Sequence, residues 1–316
     1  MSIPAPAAAA DAAWLHSAFY RFTPLDDPAA LAQQLRRFAV GLLGSIVVAP
    51  EGLSGAVAGS PAGIAAFEAA LQQPTLQRGA LGGMAFQHSA CRGAPFGRLK
   101  VSVKPEAVAL GLPRLADGQA AASTLARPAP ASASASASAI APAPASAPAS
   151  APAPDASHLG PVAWQALLAR PDLVLLDNRN HFEFRLGRFK GALDPQVHNF
   201  RDFSAFVLAA APAWREAGRP VAMYCTGGIR CDKTAPWMRS LGLEVWQLDG
   251  GILGYLQHAG EADSLWQGEC FVFDRRIALD AGLNPSGIRA EQVFDPLRPD
   301  EAWRLQRARR LDPASA

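Results

Sequence analysis

Cysteine is scarce, with four residues in a chain of 316. That is too few to staple a protein of this length, and free thiols fit a reducing compartment, so a cytoplasmic protein is expected. Long apolar runs are missing too. None approaches the ~18 residues that cross a bilayer, and no membrane partner is expected. The first 13 residues hold no Lys or Arg, so the basic opening of a secretory leader is lacking. Charge is thin, at 18% Asp, Glu, Lys and Arg against ~25% in an average domain. Its 29 basic and 27 acidic residues nearly cancel, to +2. A uniformly basic nucleic-acid wrapper is excluded, while a local basic face is not.

What is plentiful is hydrophobic residues, at 50%, and Pro, at 27 residues. The first figure misleads, because much of it is Ala concentrated in one tract. Residues 115–157 read LADGQAAASTLARPAPASASASASAIAPAPASAPASAPAPDAS. Almost purely Ala, Pro and Ser, this tract cannot bury enough surface to offset its ordering entropy. A disordered linker over 114–158, with polyproline II stretches, is expected.

The linker separates two patterned regions. In residues 17–113, AFYRF (18–22) reads as a strand, and Asp27-Pro28 opens a helix with Leu31, Leu35, Phe38 and Leu42 at helical spacing. SIVVAP (45–50) reads as a strand, 52–55 as a turn and AVAG (56–59) as its hairpin partner. Ser60-Pro61 begins a second helix with Ile64, Phe67 and Leu71 inward, and strands follow near 85–88 and 99–103. This β-α-β-β-α-β order predicts an α+β domain of ferredoxin-like type. Residues 159–283 alternate apolar strands (173–176, 220–224, 245–250) with helices (161–168, 203–215, 228–241, from 251). That is the pattern of an α/β domain with a parallel sheet covered on both faces. A tail, 284–316, carries one predicted helix over 300–310.

The sharpest chemical signal is Cys225-Thr226-Gly227-Gly228-Ile229-Arg230-Cys231. It follows a predicted buried strand and precedes a helix, at the sheet edge where α/β proteins bind ligands. Gly227 and Gly228 let the turn curl its amides inward, the helix N-terminus adds positive potential, and Arg230 adds a full charge. All three favour a Cys225 thiolate. Four residues separate Cys225 from Arg230, a tighter ring than the Cys-x5-Arg loop that cradles phosphate. The loop alone fits either a nucleophilic thiolate or a persulfide-carrying sulfurtransferase.

These residues resemble the rhodanese domain. VLLDNR (174–179), with Asp177 and Arg179, FEFRLGRFKGA (182–192) and LDGGILGY (248–255) resemble its other segments. With APEGLSGAVAGS (49–60), RLKVSVKPEAVALGLP (98–113), YCTGGIRCDKTAPWM (224–238) and WQGECFVFD (266–274), in this order, the chain resembles the oxygen-dependent tRNA uridine hydroxylases. The resemblance implies an N-terminal ferredoxin-like domain, a rhodanese domain with its catalytic cysteine at Cys225, and formation of 5-hydroxyuridine at the wobble position of tRNA. It implies molecular oxygen as co-substrate; the chain itself carries no recognisable cofactor motif. Many members end in a Cys-rich, metal-binding tail; this tail has no Cys.

Other residues admit two readings. Asp177 and Arg179 either orient the active loop or form a strand-end ion pair. Cys231 either resolves an oxidised Cys225 or packs in the first helical turn. Cys270, in an apolar run, reads as a packed thiol, and Cys91 lacks the companions of a zinc site, so no metal is expected. His181 and His198 are weak acid–base candidates. Arg92, Arg98, Lys100 and Lys104 form one basic cluster and Arg185, Arg188 and Lys190 another, as candidate contacts to the tRNA anticodon arm. RLQRARR (304–310) is a third. No obligate protein partner is inferred.

Overall fold

The computed structural model describes residues 14–112, 157–258 and 264–311. The expected linker lies outside the described residues except for Ser157 and His158. His158 opens a strand instead.

The N-terminal region runs β1 (Trp14–Phe22), α1 (Pro28–Phe38), β2 (Leu43–Ala49), β3 (Gly52–Gly59), α2 (Pro61–Leu71), β4 (Phe86–Cys91) and β5 (Leu99–Val103). The sheet order is β4-β1-β3-β2-β5. Neighbours are antiparallel except β5, which adds parallel to β2. This is the ferredoxin-like arrangement with a fifth edge strand. Residues 52–55, expected as a turn, already belong to β3. Gly52 pairs with Ala49, which confines the turn to Pro50-Glu51. Asp27 caps α1 by accepting from the Ala30 amide at 2.9 Å, and Ser60 caps α2 by accepting from Gly63 at 3.2 Å. Both helices cover one sheet face, where Leu31, Leu35, Ile64 and Phe67 bury against Ile46, Val48, Leu53 and Val57. The alternation of strand side chains then gives the other face to Ala18, Tyr20, Ser45, Val47, Ser54 and Ala56.

The second region runs β6 (His158–Leu159), α3 (Pro161–Leu168), β7 (Val174–Asp177), α4 (His181–Leu186), β8 (Gly187–Phe189), α5 (Phe203–Glu216), β9 (Val221–Tyr224), α6 (Ile229–Ser240), β10 (Val245–Leu248) and α7 (Gly251–His258). Its sheet, β6-β10-β9-β7, is wholly parallel. All of β7 and β9 is buried, because helices cover both faces. The two faces divide strand residues by parity. Val221, Met223 and Cys225 pack with Phe203 and Val207 of α5 and with Trp237 and Met238 of α6. Ala222 and Tyr224 pack with Trp164 of α3 and with Ile252 and Tyr255 of α7. The stretch between β7 and α5, irregular in the sequence reading, holds α4 and β8, too short for periodicity to reveal.

A buried ion pair ties this region together. Asp177 and Arg179 are both 0% exposed and meet through two bonds of 2.8 and 2.6 Å. Arg179 also donates to the Gly187 carbonyl at 2.6 Å, and the Tyr224 hydroxyl donates to Asp177 at 2.8 Å. The guanidinium lies 5.3 Å from the centre of the Trp266 ring. The end of β7, the start of β8 and the residue before Cys225 thus share one charge pair. Burial pushes the Asp177 carboxyl up while Arg179 pulls it down.

The remainder comprises β11 (Trp266–Gly268), which pairs with β8, the hairpin β12 (Cys270–Phe271) and β13 (Ala278–Leu279), α8 (Ala290–Val293) and α9 (Pro299–Leu311). Phe182 of α4 packs with Phe271, Val293, Phe294 and Leu305, which docks the tail on the second region. The two regions touch directly. Lys233 of α6 pairs with Glu51 and, at 3.4 Å, with Glu106. Arg276 donates to Ser89 at 2.8 Å, and Leu110 joins the α5–α6 core.

Removing one partner of a buried pair strands the other charge. Arg179→Met is therefore expected to cost about 3–5 kcal/mol, read as a lower midpoint in urea unfolding. A loss below ~1 kcal/mol would show that the pair carries no structural role.

Candidate active site between the two domains

The helix-free face of the first sheet looks across at the loop that follows β9. Between them lies a cleft of about 1010 Å³. Ala18, Ser45, Val47, Ser54 and Ala56 supply one wall, and Thr226, Gly227, Ile229, Arg230 and Asp232 the other. Small side chains make up part of the first wall, and Tyr20, Phe22 and Gln87 stand on it as well.

Cys225 leaves the end of β9 on the α5–α6 side and is 1% exposed, just behind the loop wall. Its sulfur accepts from the Gly228 amide at 3.1 Å. Gly228 turns the chain with φ +94, a backbone that favours glycine. Behind the loop, the Ile252 and Leu253 amides at the start of α7 donate to the Cys225 and Thr226 carbonyls at 2.9 and 3.1 Å. The approach is so close that a Cβ on Gly251 would fall 2.5 Å from the Cys225 carbonyl oxygen. LDGGILGY therefore packs behind the loop.

Burial pushes the Cys225 thiol up, but several groups pull harder the other way. They are the Cys231 thiol, the Arg230 guanidinium and the backbone amides of Cys231 and Arg230, and the net result is a pKa lowered to about 7. Burial and the adjacent Cys225 sulfur push Cys231 well above the ordinary thiol range. Cys225 thus ionises first, with Cys231 kept protonated beside it as a donor. The other two cysteines stay thiols, since burial pushes Cys270 up to about 12 and raises Cys91.

Arg230, expected to close the ring, has a carboxylate partner. Its Nη1 donates to Glu183 at 2.9 Å, and its guanidinium lies 5.7 Å from the Phe200 ring centre and 5.5 Å from that of Phe273. Glu183 also accepts from the Asn180 amide at 3.1 Å. The Asn180-x-x-Glu183 capping-box spacing at the start of α4 was its signal in the sequence. Asp177 and Arg179 bond to each other, Tyr224 and Gly187, and their hydrogen bonds reach the loop through Tyr224, the residue before Cys225.

The first domain reaches over the loop with residues the sequence reading missed. Tyr20 donates to Asp232 at 2.8 Å, and His158 contacts the other oxygen of Asp232 at 2.8 Å. Gln87 donates to the Gly250 carbonyl at 2.7 Å. A Cβ on Gly228 would lie 2.8 Å from the Tyr20 hydroxyl, and one on Gly227 3.0 Å from Gln87 Oε1. These two side chains cover the glycine turn, and only bare backbone fits beneath them. Tyr20 and Gln87 could have been suspected as polar residues on the helix-free strand face.

The expected basic contacts divide. Arg92, Arg98, Lys100, Lys104, Arg188 and Lys190 are exposed, but none lines the cleft. Arg185 is exposed too, and its guanidinium donates to Glu301 at 2.7 and 2.9 Å and to the Val293 carbonyl at 3.0 Å. His181 pairs with Asp194 at 2.6 Å and His198 with Asp300 at 2.8 Å, and neither lines the cleft.

Thiolate absorbance near 240 nm, taken as the difference between wild type and Cys225→Ser, should titrate with a midpoint about 7. Cys231→Ala and Arg230→Gln each remove a group that favours the anion, so each should move the midpoint upward. A midpoint that stays put in both variants would show that the loop does not hold the charge.

Two family models match the chain, the UPF0176 acylphosphatase like domain at residues 14–107 and the Rhodanese-like domain at residues 161–258. Curated relatives named tRNA uridine(34) hydroxylase align along most of it. That of Nitrobacter winogradskyi is 40% identical over 88% of this chain and 96% of its own. The Bradyrhizobium diazoefficiens protein is 38% identical over 84% and 92%, and the Synechococcus elongatus protein 39% over 84% and 85%. A solved chain, the BH2092 protein of Bacillus halodurans, aligns over 43% of this chain and 87% of its own at 15% identity with a TM-score of 0.28, too slight a likeness to inform the fold. Since the alignments with the curated relatives span both domains, the chain belongs to the tRNA uridine(34) hydroxylase family.

Proposed function

We propose that this chain hydroxylates uridine 34 of tRNA at C5, with Cys225 as the nucleophile and the interdomain cleft as the uracil site. The supporting observation is the placement of a lowered-pKa cysteine behind one wall of a large cleft between the two domains. Uridine 34 lies in a single-stranded loop, where a base leaves its stack at little cost. Thr226 Oγ1 is buried without a hydrogen-bond partner among the described residues, which leaves it for a uracil carbonyl. The exposed basic residues Arg92, Arg98, Lys100, Arg188 and Lys190 would hold the anticodon arm by its phosphates. A tRNA substrate and four free thiols support a cytoplasmic location. No described helix is long and apolar enough to cross a membrane.

In the proposed reaction the Cys225 thiolate adds to uracil C6. A sulfur–carbon bond forms, and the displaced π pair gives C5 enolate character. C5 then takes one atom of molecular oxygen. Loss of the C5 proton and expulsion of the thiolate restore the ring. The second oxygen atom leaves as water, with two electrons from a reductant and two protons. Cys225 is 1% exposed, so the ring reaches it when Tyr20 and Gln87 give way over the Gly227–Gly228 turn.

The test is nucleoside mass spectrometry of tRNA from cells that lack the gene and carry a plasmid copy. Wild type should restore 5-hydroxyuridine and Cys225→Ser should not. Restoration by the serine variant would overturn the nucleophile assignment. Robust thiosulfate-to-cyanide sulfur transfer by purified protein, without restored 5-hydroxyuridine, would replace the hydroxylase reading with a sulfurtransferase.

A further inference from the structure

A second cavity, of about 320 Å³, lies beside the cleft and is built by the β12–β13 hairpin and the tail. Neither family model extends past residue 258, so these elements lie outside both matched domains. Val272, Phe273 and Asp274 line both cavities. Phe273, 60% exposed, therefore stands on the wall between them.

The chemistry of the second cavity is one-sided. Its carboxylates are already engaged, Asp274 by Arg276 at 2.6 Å and Glu291 by Arg309 at 2.8 Å. Arg275, Arg289 and Arg307 also line it and form no ion pair within 4.0 Å among the described residues, although Glu291, held mainly by Arg309, also feels Arg289. The Nε of Arg275 is buried without a hydrogen-bond partner among those residues. Trp303 is 46% exposed, and Arg304 holds it by stacking 4.5 Å from its ring centre. Arg304 is itself anchored, to the His198 carbonyl at 2.9 Å. Exposed aromatic rings beside unneutralised guanidinium groups form the standard surface for single-stranded nucleic acid.

We propose that this tail cavity is an RNA subsite that takes the nucleotide flanking the target uridine. The base stacks on Trp303, while Arg275, Arg289 and Arg307 meet the backbone phosphates. Phe273 separates this base from the uracil in the cleft. An acidic peptide would satisfy the arginines, but it would not continue into the cleft as an RNA strand does. The proposal rests on the reading of the cleft as the uridine site.

The experiment measures affinity of the full chain for a tRNA carrying uridine at position 34, across a salt series, together with steady-state hydroxylation. Arg275→Ala, Arg289→Ala and Arg307→Ala should each reduce the slope of log affinity against log salt by about 0.7. Trp303→Ala should weaken binding about tenfold without changing that slope, and Trp303→Phe should recover most of the loss. The variants should raise KM and spare kcat. Arg170→Ala, whose charge is paired with Asp172 and which lines neither cavity, serves as control and should leave affinity unchanged. Variants with wild-type affinity and slope, in an enzyme that still makes 5-hydroxyuridine, would overturn the subsite and leave the hydroxylase reading standing. A wild type that binds tRNA poorly and makes no product would instead overturn both.

Discussion

The Asp177–Arg179 pair is the constraint on which the second domain is organised. A lone carboxylate or guanidinium could not be held in so dry a place. Each is tolerated because the other is there, and because Tyr224, Gly187 and the Trp266 ring supply the remaining contacts. The pair therefore fixes where β7 ends, where β8 begins and where the Tyr224 ring lies. Cys225 is the next residue, so the position of the sulfur is inherited from this network.

Charge around the sulfur follows a second logic. The loop supplies amides, a thiol and one guanidinium, all favouring an anion. Glu183 takes up part of the positive charge of Arg230 and holds it against Phe200 and Phe273. Burial opposes the loop, so the sulfur is a moderate acid rather than a permanently ionised one, with its pKa lowered only to about 7. A thiolate of that kind adds to an electron-poor ring and is expelled from it with comparable ease. The first domain completes the enclosure. Tyr20 and Gln87 shield the turn, and Lys233, pinned by Glu51 and Glu106, keeps the domains in register.

Much of this was legible in the sequence, for physical reasons. Long periodic elements declare themselves, as α1 did through Asp27, Leu31 and Leu35, and β9 through its wholly apolar run. The Cys225 loop was visible because strand, double glycine and arginine occur together. What escaped was whatever depends on distant partners. The partner of Arg185 is Glu301, far along the chain, and no local pattern announces it. Tyr20 and Gln87 carry no local mark of reaching another domain. Residues 52–55 looked like a turn because Gly52 and Gly55 flank Leu53 and Ser54, yet pairing with β2 and β1 outweighs the weak strand propensity of glycine.

The parity of β9 reaches beyond chemistry, into how the chain can vary. Met223 and Cys225 belong to one helical layer and Tyr224 to the other. Substitutions in the strand keep that assignment, whereas the gain or loss of one residue reverses it. Reversal would send the sulfur towards α3 and α7 and the phenol away from Asp177, losing the nucleophile and its anchor in a single event. Descendants of this gene can therefore drift in letter along β9 but not in length, and their insertions and deletions must collect elsewhere.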